Sequence, residues 1–483
     1  MKKSLLVIVA IAVLAAVAAP WVSGQITARR LAADVERANA EGEINVAIVD
    51  YARGWRESTA RVEFSLPDAA FDDVDMPENL PIDFLAAREA LREPVTLNVA
   101  MRHGPVLLGG GGAGLNLAES TIHIDPDTPG YAELLEELGI EQLFELRTVT
   151  RFGGRTEFAA EMPPIDFVRD DIGIVFSGAE ANGFYEFGAR RFAADGTAAS
   201  LVVDSPMASL TLEQLRFASD STHYNDLLRL GHADGSVARL SVTDQSAGVP
   251  TTLTLVDFTA SFDVELEDDG EHARLGSAYR FASLSDGAQL NLSDLDLTAT
   301  ARGIDIDALT TYIAASQQAA LQPESAAPLT LEVEDALFAL LAASPTIEVA
   351  PMSVNWNDEA VNATLRFGVD GANLPPRTAF TLMSLMLGDA VSIDATVEMS
   401  AIIARWLAAR AMAFQLRRSA AADGMTFTED EVEALANMQA ATALAQLVAQ
   451  GMLLSTGTGY STQASYAGGS LTINGNTLPF GFP

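Results

Sequence analysis

The chain has 483 residues, 49% of them hydrophobic, and carries 65 acidic side chains against 29 lysines and arginines, a formal charge of −36. That apolar fraction is ample for a core, so the acidity does not mark a disordered chain, and a surface so acidic repels phosphate backbones, which excludes nucleic acid as a partner. Cysteine is absent, which removes disulfides, thiolate metal sites, a cysteine nucleophile and a lipid-modified cysteine.

Lys2 and Lys3 are the only lysines; apart from histidine, every later basic residue is arginine. An acidic, lysine-poor surface stays hydrated when salt screens its charge, the pattern of a halophilic source. Residues 1–24 open with these lysines and continue in an apolar run from Leu5 to Ala19, followed by Pro20-Trp21-Val22-Ser23-Gly24. From Leu5 to Val22 the run is about 18 residues, or roughly 27 Å of helix, enough to span a bilayer. Lysines before it and Trp21 after it predict a single-pass, N-in helix. The chain would then touch a bacterial inner membrane through residues 5–22 and hold its body in the periplasm. Ala16-Val17-Ala18 also has the small-x-small form of a signal-peptidase site, so cleavage stays open. Either outcome exports the body.

Residues 25–42 place Ile26, Leu31 and Val35 on one helical face, which predicts an amphipathic stalk helix. Residues 43–304 alternate with period two. Ile44, Val46 and Ile48 lead through a turn at Arg53-Gly54 into Ala60, Val62, Phe64 and Leu66, with Thr59, Arg61, Glu63 and Ser65 on the other face. The same alternation recurs over residues 96–101, 145–162, 199–204 and 238–242. It is clearest at Phe258, Ala260, Phe262, Val264 and Leu266, ahead of a turn at Glu267–Gly270. This predicts a long antiparallel sheet, curved so that its edges are protected.

Residues 305–483 mix helix and strand and either pack on that body or continue it. Helices are predicted over 306–319, 333–343, 378–387 and 400–418. A further helix starts from a Thr428/Glu431 capping box and runs to about Gln450. Strands follow at 462–466 and 470–474, with Asn474-Gly475 as a turn. The fold class is therefore α+β: a long curved antiparallel body, helices mainly in the C-terminal third, and an N-terminal transmembrane helix.

Tyr51-Ala52-Arg53-Gly54-Trp55 leading to Ser58 reads as a hairpin turn clamped by its aromatics. His103-Gly104-Pro105 could hold a base, but no G-x-S-x-G elbow accompanies it, and Gly-Pro is an ordinary strand end. Gly109–Gly112 with Gly114 lacks the lysine of a phosphate loop and reads as a flexible loop. His123, His223, His232 and His272 are scattered. Asp72-Asp73-Val74-Asp75, Asp125-Pro126-Asp127 and Asp305-Ile306-Asp307 match no calcium loop and read as solvated turns. No catalytic, cofactor or metal set is assigned.

The anchor with its Pro20, Trp21 and Gly24 exit, the Tyr51–Trp55 turn, His103-Gly104-Pro105 and Ala343-Ser344-Pro345 before Pro351-Met352 together resemble the YdgA-like family of bacterial envelope proteins, a domain of unknown function. Tyr460, Tyr466 and Leu471-Thr472-Ile473-Asn474-Gly475 complete the likeness. It covers nearly the whole chain and implies an uncleaved anchor and an extracytoplasmic body, with no established reaction. Tyr51, Gly54, Trp55, His103, Gly104, Pro105, Asn474 and Gly475 are its motif positions, read as structural. The leading expectation is a non-enzymatic envelope protein binding a lipid or a protein. The alternatives are a hydrolase using a carboxylate pair and a self-associating structural protein.

Overall fold

A computed structural model describes Val35, Asn39 and residues 45–65, 94–104, 106–109, 112–169, 171–225, 227–246, 250–288, 290–321, 326–423 and 428–479. The expected membrane segment lies outside these residues, as does the stalk helix apart from Val35 and Asn39, which are helical. Among the described helices none is long and apolar enough to cross a membrane. The protein is a large antiparallel sheet with a few helices, mostly in the C-terminal part. It divides into two compact units, Met1–Pro206 with Glu213–Thr222 and Met207–Leu212 with His223–Pro483.

The first unit contains β1 (Asn45–Arg53), β2 (Glu57–Ser65), β3 (Val95–His103), β4 (Val106–Gly109), β5 (Gly112–Ile124) and β6 (Glu145–Arg151). It continues with β7 (Arg155–Met162), β8 (Ile165–Arg169), β9 (Ile172–Phe176), β10 (Ala179–Glu186) and β11 (Arg191–Asp204). β1, β2, β3, β5, β6 and β7 pair antiparallel in chain order. β7 and β8 share one register against β10 and β9, because the break at Pro163-Pro164 lies opposite Ser177-Gly178. Proline has no N–H for the ladder, so the strand is interrupted there without losing its partner. The glycine-rich segment forms the β4–β5 hairpin, with Gly109 opposite Gly112, rather than a loop. An unforeseen helix, α1 (Tyr131–Leu138), is bounded by Gly130 and Gly139, both with left-handed backbone.

The residues of β12 (Ala208–His223) are divided between the two units, and the second unit contains β13 (Arg229–Asp244), β14 (Thr251–Leu266), β15 (His272–Ser285), β16 (Asn291–Asp305), β17 (Thr346–Trp356), β18 (Glu359–Val369) and β19 (Val391–Ser400). Then come β20 (Leu454–Ser455), β21 (Gly459–Ala467), β22 (Ser470–Ile473) and β23 (Asn476–Pro479). Helices α2 (Ile306–Leu321) and α3 (Ala326–Ala342) lie between β16 and β17, and α4 (Leu382–Leu387) between β18 and β19. α5 (Ala401–Asp423) and α6 (Glu429–Ala449) separate β19 from β20. β16 pairs with β17 and β19 with β21, so the portion after residue 305 continues the sheet that precedes it. α6 starts as the capping box requires: Thr428 Oγ1 accepts from the Glu431 amide at 3.3 Å, and Glu431 Oε2 accepts from the Thr428 amide at 2.9 Å.

Register makes this second sheet amphipathic. Paired residues share a face, and so do residues two apart along a strand. One row across it reads Val264, Leu275, Ala301, Ile347, Phe367, Ile393, Tyr466, Leu471 and Leu478. The next on the same face reads Phe262, Ser277, Ala299, Val349, Leu365, Ala395 and Ala464, and the third Ala260, Tyr279, Leu297, Met352, Ala363 and Val397. The opposite face carries Thr259, Arg280, Asp296, Ser353, Asn362, Glu398 and Ser461. Part of the first row is covered: Tyr466, Leu385 and Val391 form a core with Leu341, Phe367 and Phe380, and Ile306 and Ala273 form another with Val264 and Leu275. Further along the face Phe262 is 47% exposed, Met352 43% and Leu365 42%. Alternation therefore predicts the facing of these residues, while full burial of Phe262 does not follow.

Candidate functional site

Two motifs distant in sequence meet in the first unit. Ser58 lies on β2 opposite Met101 of β3, and Ser58, Ala60 and Val62 alternate onto the buried face. On β3, Val99, Met101 and His103 do the same. Ser58 Oγ is 2.7 Å from His103 Nε2, with Ser58 3% and His103 1% exposed. The His103 amide donates to Arg56 O at 2.7 Å, which ties the strand end to the hairpin.

The turn itself is built by Gly54. Its amide donates to Glu57 O at 2.8 Å, and a Cβ there would come within 2.4 Å of that oxygen. Gly104 answers the same need more severely: its amide donates to Leu117 O at 2.8 Å, and a Cβ would lie 1.6 Å from Asn116 O. Tyr51 packs on the core of Val46, Ala60, Val62, Val99 and Met101, with its hydroxyl enclosed and unpartnered. Trp55 is half exposed, so the two aromatics of the turn occupy different environments. Pro105 lies outside the described residues. Asn39 seals the entrance to β1, its side chain donating to Val46 O at 2.8 Å and accepting from the Val46 amide at 2.7 Å.

A serine on a histidine is the beginning of a nucleophilic arrangement, which also requires a third group to orient the base. Here His103 Nδ1 is buried with no hydrogen-bond partner. Burial, and after it the positive charge of Arg53, hold His103 below its ordinary pKa, so the ring is neutral. Orphaned buried N–H groups are rarer and costlier than bare lone pairs. That favours the tautomer in which Nε2–H donates to Ser58, leaving the lone pair on Nδ1. Ser58 is then an acceptor, the reverse of what a general base needs. The arrangement pins β2 to β3.

The signal for this contact was a polar residue on each of two apolar stripes. A buried hydroxyl and a buried imidazole need partners, and neither stripe by itself says that they find one another.

The C-terminal motif is also a joint. Asn474 and Gly475 have φ of +49° and +82° and form the two-residue turn joining β22 to β23, with Ile473 opposite Asn476. The Asn474 side chain donates to Gly451 O at 3.0 Å, just past α6, and accepts from the Gln463 amide of β21 at 2.8 Å. Asn474→Ala removes both bonds and places alanine in left-handed backbone, an expected loss of about 2–3 kcal/mol. Hydrogen exchange should show the loss in β21, β22 and the end of α6.

The acidic motifs are occupied structurally. Asp125 is buried, pairs with Arg61 Nε at 2.6 Å and accepts from the Asp127 amide at 3.0 Å. Asp305 accepts from the Ala308 amide at 2.7 Å at the start of α2, and residues 72–75 lie outside the description. Among the described residues no three His, Asp or Glu side chains are grouped to hold a metal ion. A cleft of about 530 Å³ opens at the β7–β8 and β9–β10 breaks, lined by Pro163, Pro164, Ser177 and Gly178, with Glu161 and Glu180 among the other residues at its wall. These two glutamates are opposite one another in register, and both are exposed.

No curated protein and no solved structure matches the chain. Residues 1–480 match a family described as a bacterial protein of unknown function, and on that nearly complete match the chain belongs to DUF945.

Proposed function

We propose that this is a YdgA-like, single-pass protein of the bacterial inner membrane that holds a lipid acyl chain against the apolar face of its second sheet. The anchor reading rests on Lys2, Lys3 and the apolar run after them. The observation that carries the ligand reading is the row structure: register gathers apolar residues onto one face, and Phe262, Met352 and Leu365 remain more than two-fifths exposed on it. Contiguous exposed apolar surface marks an interaction site, and each methylene moved onto it from water contributes about 0.8 kcal/mol. The absence of a hydrogen-bond partner on His103 Nδ1 supports a binding protein over one using the Ser58–His103 pair as a nucleophile.

Extraction of the purified full chain should release lipid in stoichiometric amount. Phe262→Glu with Leu365→Glu should lower that amount about tenfold, since a charge on an acyl-binding face must be desolvated. Recovery of neither lipid nor a stable protein partner from the folded chain would end this reading. A second reading, a hydrolase using two carboxylates, is favoured by Glu161 and Glu180 at one cleft wall. It requires an envelope substrate whose turnover disappears in both Glu161→Gln and Glu180→Gln.

A further inference from the structure

We propose that Asn39 is a plug that keeps the edge of β1 from pairing with a second copy of this chain. β1 pairs with β2 and, among the described residues, with no other strand, so its far side is a sheet edge. The Val46 amide and carbonyl are both taken by the Asn39 side chain, at 2.7 and 2.8 Å, and therefore point away from β2. Backbone groups alternate in direction along an antiparallel strand, so those of Ile48 point the same way as those of Val46. Past Ile48 the register against β2 shifts, with Val49 as the extra residue of a bulge. The Asn39 carboxamide thus stands where the peptide group of a neighbouring strand would, and the bulge breaks the edge on the other side.

This edge needs such protection. Exposed edges are commonly guarded by charge, yet Asn45-Val46-Ala47-Ile48-Val49 carries none in a chain of formal charge −36, and Ala47 and Val49 are exposed. Like charge repels two copies of so acidic a chain, and this uncharged strip is where they can meet. The geometry is self-complementary. A two-fold axis at Ala47 sets Val46 against the second copy's Ile48 and Ile48 against the second copy's Val46, so the outward groups satisfy one another in both directions. Val35, one helical turn before Asn39, packs on the core that holds Val46, so two residues of one helical face hold the contact. Displacing that turn opens the edge, which makes the chain before β1 the control of self-association.

The cysteine-free chain permits a direct test by cross-linking. Across the two-fold, residue 47 of each copy faces the other as a non-hydrogen-bonded pair, with Cα atoms about 4.5 Å apart and within disulfide reach. The purified full chain carrying Ala47→Cys and treated with diamide should stay unlinked. Adding Asn39→Ala should raise the disulfide-linked dimer at least about tenfold, since the freed backbone groups then find partners. Ala52→Cys with Asn39→Ala is the position control, because its two thiols would lie roughly 33 Å apart. In native mass spectrometry, the dimer gained by Asn39→Ala should be lost when Ala47→Lys sets a charge against its own copy. Circular dichroism checks folding. Should Asn39→Ala not fold, Asn39→Asp, which keeps the acceptor for the Val46 amide, should give the same cross-link more weakly. A folded variant that stays monomeric, equal linking at residue 47 with Asn39 in place, or equal linking at residue 52 would overturn the proposal.

Discussion

Gly104→Ala is expected to be the most damaging single-atom change in the first unit, costing about 3 kcal/mol or more. The reason is space rather than backbone conformation. The added Cβ would sit 1.6 Å from Asn116 O and 2.8 Å from the Asn116 carbonyl carbon. No side-chain rotation relieves a clash with backbone, so β3 and β5 must separate where the Gly104 amide meets Leu117 O. Leu117 and Ala118 are buried there, and the opening would admit water to them. Hydrogen exchange should show protection lost first at the His103 and Gly104 amides and along β5, while the second unit, a separate compact body, keeps its own. Gly153→Ala is the control, since a Cβ at Gly153 meets nothing within 4 Å. A Gly104→Ala protein with wild-type exchange would show that the close approach is absent.

His103→Ala is expected to cost about 3–4 kcal/mol, combining a cavity at a fully buried position with a Ser58 hydroxyl left without a partner. Ser58→Ala should cost about 1–2 kcal/mol, and the double variant less than the sum, because the second change removes a group already orphaned. A strictly additive double variant would show that the hydrogen bond contributes nothing.

The same residue sets a pH dependence. Burial places the folded-state pKa of His103 below its ordinary value of 6.5. Above pH 6.5 the ring is neutral folded or unfolded, and its contribution is complete. As pH falls below 6.5 the unfolded chain takes up a proton that the folded chain refuses, so stability declines until the lower folded pKa is reached. His272 works in the opposite direction. Its hydrogen bond to Asp269, 2.7 Å long, raises its pKa, so its contribution is complete below 6.5 and fades as pH rises through the folded value. Asp269, lowered to about 2 mainly by the Glu271 amide and then by His272, stays ionised through that window. Denaturation midpoints of His103→Gln measured from pH 7 down to 5 should therefore be flatter than those of the unsubstituted chain. An unchanged slope would assign the acid sensitivity to other groups.

Local features were legible in the residues. Strand alternation, the Thr428/Glu431 box and the Asn474-Gly475 turn each depend on neighbours a few positions away, and each took the predicted form. The helix at Tyr131–Leu138 was not legible, because two turns between glycines are too short for periodicity to declare itself. The Gly109–Gly112 segment reads as a loop by composition, yet pairing with its neighbour makes it a hairpin. The roles of Asp125, in an ion pair and a turn, and of Asp305, at a helix start, likewise depend on which amide or guanidinium the fold brings near.

The sequence by itself determined that this is a strongly acidic, cysteine-free protein with an apolar N-terminal run and a strand-rich body, because charge, redox chemistry and period-two patterning are properties of composition and near neighbours. Only the tertiary structure decided that Ser58 finds His103 and that separate apolar stripes become one continuous face. Each of these depends on register or packing between residues far apart in the chain, and a shift of one residue in a strand would have turned every one of its side chains to the other face.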